Sequence, residues 1–209
     1  MATYTSNKVA IEKNELALSK PKTLRRASLE HYLDKEARAT EKHEFYNGKI
    51  VLMPGAKATH SQIAAQFGAA LFHNLEDFKP THIVYNSDMK IYIPLHNHAV
   101  YPDAVVVCEA PEYWNGREDM ILNPILIVEV LSNSTEGYDR GNKFMKYKTL
   151  ESFKEYVLVR QDRYHVETWH REAPGLWRET IEEDKTKEIK LASLGISLFL
   201  SKIYKNINL

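Results

Sequence analysis

The pattern of apolar and polar residues predicts a helix and then a hairpin near the start of the chain. Ser28 can cap a helix whose apolar residues recur at helical spacing. Asn47-Gly48 lies between two apolar runs within residues 44–53, and this pair favours a type I′ turn because both central residues need positive φ. We therefore expect Glu44 on the first strand of a hairpin that follows an N-terminal helix.

From residue 59 onward the pattern predicts the order helix, three strands, helix and strand (αβββαβ). Thr59 can cap an amphipathic helix that has an apolar residue at every fourth position: Ile63, Phe67, Leu71 and Leu75. The later elements expected are strands at 82–86 continuing through 89–94, at 101–108 and at 124–131, a helix from about Asp139, and strands at 155–160 and 163–169. Strands that are apolar on both faces are covered on both sides, which indicates an α/β (α+β) protein with a central sheet flanked by helices.

Composition adds limits on charge and on compartment. Lys and Arg number 28, as do Asp and Glu, so the formal net charge of zero excludes a strongly basic surface and leaves only a local patch for nucleic acid. The single cysteine, Cys108, fits a reducing compartment. No apolar run approaches the roughly 20 residues that span a bilayer, so we expect a cytoplasmic protein without membrane contact. Residues 1–22 should form a loose arm, and residues 23–209 a single domain.

Glu129 interrupts the apolar strand expected at 124–131. An ionised carboxylate at such a position costs several kcal/mol unless it is paired or bound to a metal. The residue should share its strand face with apolar neighbours and therefore cannot turn to solvent: Ile125, Ile127 and Leu131. Two interpretations stay open for Glu129, a buried pair with Arg or Lys, and a metal ligand.

Asp103 opens the neighbouring apolar strand, directly after Pro102. Such a Pro-Asp pair alone is usually a turn or a cap. Two carboxylates that enter one sheet on successive strands repel each other in a dry site, and a hard divalent cation is the natural way to neutralise them. Asp103 and Glu129 together are therefore a candidate metal site.

Lys143 lies on the expected second helix and shares one face with Asp139 and Tyr147, at four-residue spacing. It could return toward the carboxylates, where it would position an attacking water or stabilise a developing charge. An ordinary Asp–Lys helix pair explains the spacing equally well. Lys146, on nearly the same face, is a weaker candidate for the same role.

The histidines give no zinc-ligand spacing. His96 and His98 lie close together, and decoration of a loop is the favoured interpretation over metal binding. His60, at the start of the first amphipathic helix, is either an exposed polar residue or a contributor to the site, and the sequence does not decide between them.

Several short motifs, each weak alone, follow one another in a specific order along residues 28–170. They are Glu44-Phe-Tyr-Asn-Gly48, Met53-Pro54, His60, Tyr101-Pro-Asp-Ala-Val-Val-Val107, Pro124, Val128-Glu-Val-Leu-Ser132, Ser134-Thr135, Asp139, Lys143, Tyr147 and Glu155-Tyr156. Together they resemble the Uma-two family, a bacterial group within the PD-(D/E)XK nuclease-like superfamily. The resemblance implies a restriction-endonuclease-like core of helix, three strands, helix and strand, the order that the apolar pattern also predicts.

The resemblance also implies roles for particular residues. Asp103 and Glu129 would bind Mg²⁺, with Mn²⁺ as the alternative, and the backbone carbonyl of Val130 would be a third ligand. Glu44 matches an acidic position of the family and would complete the catalytic set. One departure is that Leu131 stands where the superfamily pattern has lysine. The resemblance suggests that the lysine role has moved to Lys143, which is geometrically feasible because the reaction needs an ammonium near the water, wherever its Cα lies.

These observations lead to one expected function and two alternatives. The expected function is a Mg²⁺-dependent endonuclease that hydrolyses phosphodiester bonds of DNA. A binding module that kept the nuclease fold with weak or no catalysis is the first alternative, and zero net charge and Leu131 favour it somewhat. The second is a structural protein with a buried Glu–Lys pair. A homodimer is also a reasonable expectation.

Overall fold

The computed structural model describes residues 26–76, 81–132 and 135–209. The arm predicted at residues 1–22 lies outside the described residues. In chain order the strands are β1 (His43–Tyr46), β2 (Lys49–Leu52), β3 (His82–Asn86), β4 (Lys90–Ile93), β5 (His98–Val100), β6 (Ala104–Cys108), β7 (Met120–Ile121), β8 (Pro124–Leu131), β9 (Glu155–Arg160), β10 (Val166–Ala173), β11 (Leu176–Glu182), β12 (Glu188–Leu191) and β13 (Ile196–Phe199).

The α-helices are α1 (Leu29–Glu36), α2 (Ala58–Leu75), α3 (Glu136–Tyr138), α4 (Phe144–Tyr147) and α5 (Leu200–Ile203). A π-helical turn, Asp139–Lys143, joins α3 to α4. These three segments follow one another without a break, and together they are called the site helix below. Among the described residues, no helix is long and apolar enough to cross a membrane.

A six-stranded sheet with the order β11-β10-β9-β8-β6-β3 forms the centre of the fold. Its β8–β9 pair is parallel and its other pairs are antiparallel, so the sheet is mixed. Helix α2, the strands β3, β6 and β8, the site helix and strand β9 follow in the predicted order of helix, three strands, helix, strand. The predicted fold class, a mixed sheet flanked by helices, is confirmed.

Two apolar clusters cover the two faces of the central strands. On one face, Val128 and Val130 of β8 pack with the apolar side of α2. On the other face, Ile127 and Leu131 pack with Phe144 of the site helix. Glu129 belongs by alternation to this second face, and it therefore points toward the site helix rather than to solvent.

The predicted N-terminal helix and hairpin are both present. Ser28 caps α1 by accepting a hydrogen bond from the backbone N–H of His31 at 3.1 Å. Asn47 and Gly48 join β1 to β2 with φ values of 45° and 95°, as a type I′ turn requires. The hairpin belongs to a second sheet with the order β2-β1-β5-β4-β7, and β1 brings Glu44 toward the central sheet.

Several predicted boundaries were wrong. The strand expected to run from 82 through 94 is divided between β3 and β4, which lie in different sheets. Asn86 causes the break, because its side-chain oxygen accepts the N–H of Asp88 at 3.0 Å and closes a turn. Thr59 lies inside α2, which begins at Ala58. The second helix begins at Glu136 rather than near Asp139.

Three smaller expectations also differ from the structure. The strand expected at 163–169 begins only at Val166, because Arg160 and His165 close a turn through a backbone hydrogen bond of 3.0 Å. Ile125 leaves the strand face predicted for it and packs on the α2 side, at an irregularity in the β6–β8 pairing. His98 does not decorate a loop but lies buried in β5.

Candidate active site

Charged side chains from four elements meet where β1, the start of β6, β8 and the site helix come together. Glu44 comes from β1, Asp103 directly precedes β6, and Glu129 lies in β8. The register of the antiparallel β6–β8 pair, which sets Ala104 opposite Val128, carries Asp103 to the position opposite Glu129. The site helix adds its own polar residues above them: Asp139, Lys143 and Tyr147.

Lys143 makes the central contact of this cluster. Its Nζ lies 2.6 Å from Oε1 of Glu129, and both side chains are buried. The same ammonium is 3.8 Å from Oε1 of Glu44 and 3.8 Å from Oδ1 of Asp139. One buried cation is therefore surrounded by three carboxylates.

Glu129 and Glu44 are also held by hydrogen bonds from neutral donors. The Tyr147 hydroxyl donates to Oε1 of Glu129 at 3.1 Å. The backbone N–H of Tyr101 donates to Oε1 of Glu44 at 3.0 Å, and the Tyr46 hydroxyl donates to its Oε2. Each of these bonds fixes the position of a carboxylate oxygen without adding positive charge.

Asp103 lies at the α2 side of the cluster. Its Oδ2 accepts the backbone N–H of Val130 at 2.7 Å, and its own backbone N–H donates to the carbonyl of Val128 at 3.1 Å. The Nε2 atom of His60 is 3.4 Å from the same Oδ2. His60 is thus half-buried and in contact with Asp103, so it is not the exposed polar residue of the first interpretation, and it stays a candidate contributor to the site.

The π-helical turn lies in the middle of the site helix. A π turn adds one residue relative to an α turn, and such turns frequently occur at functional sites. Here the turn spans Asp139–Lys143, so that both its first and its last side chain are buried in the cluster. Tyr147, one turn further, still reaches Glu129 from the same side of the helix.

Burial and like charge shape the protonation of the cluster. Burial raises the pKa of Glu129 well above its usual value; Asp139 and Asp103 add to this effect, and Lys143 only partly opposes it. Burial likewise raises the pKa of Asp139. Burial alone would lower the pKa of Lys143, but the carboxylates of Glu129, Glu44 and Asp139 outweigh it, and the pKa is raised. The cluster therefore holds a protonated lysine beside carboxyl groups of which two, Glu129 and Asp139, take up a proton more readily than usual.

The carboxylates of the cluster have the chemistry that suits a hard divalent cation. One of their oxygens, Oε1 of Glu129, is in contact with Lys143. The available donors are carboxylate oxygens, which are the ligand type that Mg²⁺ prefers. Among the described residues, no group of three or more His, Cys, Asp or Glu side chains is in position to hold a metal ion. A bound cation would consequently need Glu129 to exchange part of its contact with Lys143.

A cleft of about 520 Å³ opens next to Asp103 and His60, between α2 and strand β3. Small residues of α2 form one wall: Ala64, Ala65, Gly68 and Ala69. The described residues that line it include no Lys or Arg, and His60 is the one among them that can carry a positive charge. The cleft gives access to the Asp103 side of the cluster, and among its described lining residues only His60 could supply a counter-charge for a phosphate.

The structure thus brings Glu44, Glu129 and Lys143 together and joins Asp103 to them through the backbone of Val130. Lys146 lies outside the cluster. The structure adds residues that were not assigned to the site from the sequence: Asp139, Tyr46 and Tyr147. The four-residue spacing of Asp139, Lys143 and Tyr147 carried a signal for two of them. Tyr46 appeared only as part of the motif Glu44-Phe-Tyr-Asn-Gly48, and nothing in its own position pointed to a role in the site.

The sequence and the fold both have relatives among known proteins. Residues 29–201 match the model of the Uma2 family, described as "Putative restriction endonuclease". The chain is 33% identical over 165 residues to "Uncharacterized protein sll1609" of Synechocystis sp. (strain ATCC 27184 / PCC 6803 / Kazusa), which covers 79% of this chain and 92% of that protein. It is 34% identical over 180 residues to "Uncharacterized protein slr1290" of the same strain, which covers 86% of this chain and 92% of that protein.

The fold is similar to that of a solved structure. That structure is a "putative nuclease belonging to DUF820" from Anabaena variabilis ATCC 29413, with a TM-score of 0.68 and 15% identity, over 85% of this chain and 97% of that one. At this identity the likeness shows the fold alone, which agrees with the restriction-endonuclease-like core expected from the motifs. The family match extends over most of the chain and contains every residue of the cluster. The chain therefore belongs to the Uma2 family of restriction-endonuclease-like proteins.

Proposed function

We propose that this protein is a Mg²⁺-dependent endonuclease that hydrolyses phosphodiester bonds of DNA. The observation that carries the proposal is the arrangement of three carboxylates, those of Glu129, Glu44 and Asp139, around the single buried ammonium of Lys143. A purely structural ion pair needs one carboxylate for one ammonium. Here Glu44 and Asp139 also lie 3.8 Å from the same ammonium, an arrangement that suits a second, divalent cation better than a closed pair.

Asp103 and Glu129 would hold the ion, together with the backbone carbonyl of Val130. When bound, the ion supplies a more acidic water and a positive charge next to the scissile phosphate. Mn²⁺ is the alternative metal, because it also accepts oxygen ligands.

Lys143 would orient the attacking water and stabilise the negative charge that develops on the phosphate, and as an ammonium with a raised pKa it would not take the proton of that water. In the superfamily pattern, the lysine with this role stands two positions after the glutamate. At that position this chain has Leu131, whose side chain is buried in the apolar cluster with Phe144. The ammonium instead reaches Glu129 from the site helix, which supports the idea that the lysine function has moved to Lys143. Glu44 would keep this ammonium protonated and oriented between turnovers.

A second candidate function is a nuclease-fold binding module without turnover. The observation in its favour is that Lys143 contacts the glutamate expected to bind the metal, and that no described group of three ligand side chains is arranged around an ion. This candidate predicts nucleic-acid binding with no cleavage under any metal condition.

The test is cleavage of supercoiled and single-stranded DNA with Mg²⁺ or Mn²⁺, by wild type and by Asp103→Asn, Glu129→Gln and Lys143→Met. We expect cleavage by wild type only, and none when EDTA is added. Glu188→Gln, an exposed carboxylate of β12, is the matched control and should cut like wild type. Cleavage retained by both carboxylate variants would overturn the mechanism, and binding without cleavage by wild type would favour the second candidate.

A further inference from the structure

A second pocket, of about 510 Å³, lies on the hairpin side of the active-site cluster and carries positive charge. The described residues that line it come from the chain before α1, from the hairpin, from β5 and from the site helix: Arg26, Tyr46, Asn47, Lys49, His98, Tyr138 and Lys146. None of these lining residues is acidic. We call it the basic pocket, and it contrasts with the excess of carboxylates in the cluster beside it.

The hairpin turn brings the first two cations together. Gly48 has a φ of +95°, and a Cβ at this position would lie 2.5 Å from Cβ of Arg26. The backbone N–H of Ala27 donates to the carbonyl of Gly48 at 2.9 Å, which fixes the chain before α1 against the turn. Lys49 follows the turn directly. The close approach that only glycine permits therefore places Arg26 next to Lys49.

The third cation comes from the site helix. The Nζ atom of Lys146 lies 5.8 Å from the ring centre of Tyr46 and 5.4 Å from that of Tyr138, both within cation–π range. Among the described residues, Arg26, Lys49 and Lys146 make no ion pair with a carboxylate. Three cations from separate parts of the chain are thus directed at one pocket and remain without a counter-ion there.

Tyr46 forms a wall between the basic pocket and the cluster. Its hydroxyl donates to Glu44 on the cluster side, while its ring lines the pocket. Tyr138, which also lines the pocket, immediately precedes Asp139 of the cluster. A polyanion that approached the carboxylates alone would be repelled, whereas cations one aromatic ring away can hold its neighbouring charges.

We propose that the basic pocket binds a backbone phosphate of the substrate strand, next to the phosphate that is cut. This inference rests on the proposed function for the identity of the polymer, a nucleic acid. Charge complementarity supports it: phosphate contacts from Lys and Arg position a nucleic acid without reading its sequence. A chain with zero net charge needs such a local patch, because its overall field does not attract DNA.

The test uses binding in EDTA, where cleavage is absent by design. The anisotropy of a short fluorescein-labelled DNA is measured over a salt series with wild type, Arg26→Gln, Lys49→Gln and Lys146→Gln. Each variant should bind several-fold more weakly, and the slope of log K against log salt should decrease by roughly one. Lys190→Gln, an exposed lysine of β12, removes the same charge elsewhere and should bind like wild type.

The outcomes separate this inference from the proposed function. Equal losses in Lys190→Gln and the pocket variants, or no loss in any of them, would overturn the pocket, whether or not the protein cuts DNA. Binding that depends on the pocket, combined with no cleavage in Mg²⁺ or Mn²⁺, would support the pocket and contradict the endonuclease. Inorganic phosphate can be added as a competitor of the labelled DNA. If it displaces the DNA as effectively, per phosphate group, as unlabelled DNA does, the pocket is a site for free anions and the strand-binding role is overturned.

Discussion

The Nζ atom of Lys143 lies 2.6 Å from Oε1 of Glu129, and each of the two side chains is only 6% exposed. The contact crosses from the site helix to the central strand β8, so it ties the two elements that frame the candidate active site. The same contact would be made by a structural ion pair and by a catalytic lysine at rest. The two roles differ in what happens when one partner is removed and when a divalent cation is added.

Lys143→Met should lower the free energy of unfolding by roughly 3 to 5 kcal/mol in EDTA, because it leaves buried carboxylates without their cation. Addition of Mg²⁺ should stabilise the variant more than it stabilises wild type, because the divalent cation then neutralises carboxylates that Lys143 neutralises in wild type. Urea denaturation with and without Mg²⁺ measures both effects. Lys190→Met is the control for loss of an exposed lysine, and an unchanged response to Mg²⁺ in Lys143→Met would contradict a cation site.

Tyr147→Phe should act through the hydrogen bond that the Tyr147 hydroxyl donates to Glu129. The hydroxyl donates to Oε1 of Glu129 at 3.1 Å, and a donor of this kind stabilises the ionised carboxylate. Its removal should cost about 1 kcal/mol of stability and raise the pKa of Glu129 further. If ionised Glu129 is needed for cleavage, the acidic limb of the pH–rate profile should move to higher pH by less than about one unit.

Tyr156→Phe is the matched control for this shift. Tyr156 packs against Tyr147 in the same apolar cluster, but its hydroxyl donates to the backbone carbonyl of Asp139 at 3.2 Å. The control should therefore lose a similar amount of stability and keep the pH–rate profile of wild type. Equal profiles for both variants would mean that Tyr147 supports the fold without tuning Glu129.

The sequence predicted the parts of the fold that depend on long apolar runs. The run around Glu129 indicated a central strand, and a buried carboxylate in it could be recognised because its burial is costly. The position of Lys143 beside that carboxylate followed from helical periodicity and from the family resemblance. Three of the expected site residues, Glu44, Glu129 and Lys143, consequently lie together in the structure.

The features that the sequence did not predict depend on single side chains or on contacts between distant segments of the chain. Asn86 divides an apparently continuous strand by a local hydrogen bond that competes with the sheet. The π turn from Asp139 to Lys143 leaves no trace in an apolar pattern, because it changes the backbone by one residue only. The basic pocket was not predicted because Arg26, Lys49 and Lys146 come from different parts of the chain and are brought together only by the fold.

Gly48→Ala should destabilise the protein and weaken the basic pocket together. The residue has a φ of +95°, and the new methyl would lie 2.5 Å from Cβ of Arg26. Strain at such a position is of order 1 to 3 kcal/mol, and its relief should displace Arg26 from the turn. Urea denaturation and DNA binding in EDTA measure the two effects. Gly137→Ala, in α3 with nothing within 4 Å of the new methyl, is the control and should be neutral or slightly stabilising.

His98 should make the protein less stable as the pH falls from about 6.5 to 4. Burial lowers the pKa of this imidazole to about 4, and Lys146 and His96 add to the effect. Because the folded pKa is below the unfolded value, the unfolded chain takes up the proton first, so stability is fully present above pH 6.5 and is lost as the pH falls through 4. His98→Gln removes this contribution, and the difference in unfolding free energy between wild type and variant should shrink by about 1 to 2 kcal/mol over that window. His31→Gln, on the exposed side of α1, controls for the loss of a histidine, and a difference that stays constant from pH 7 to 4 would contradict a buried neutral His98.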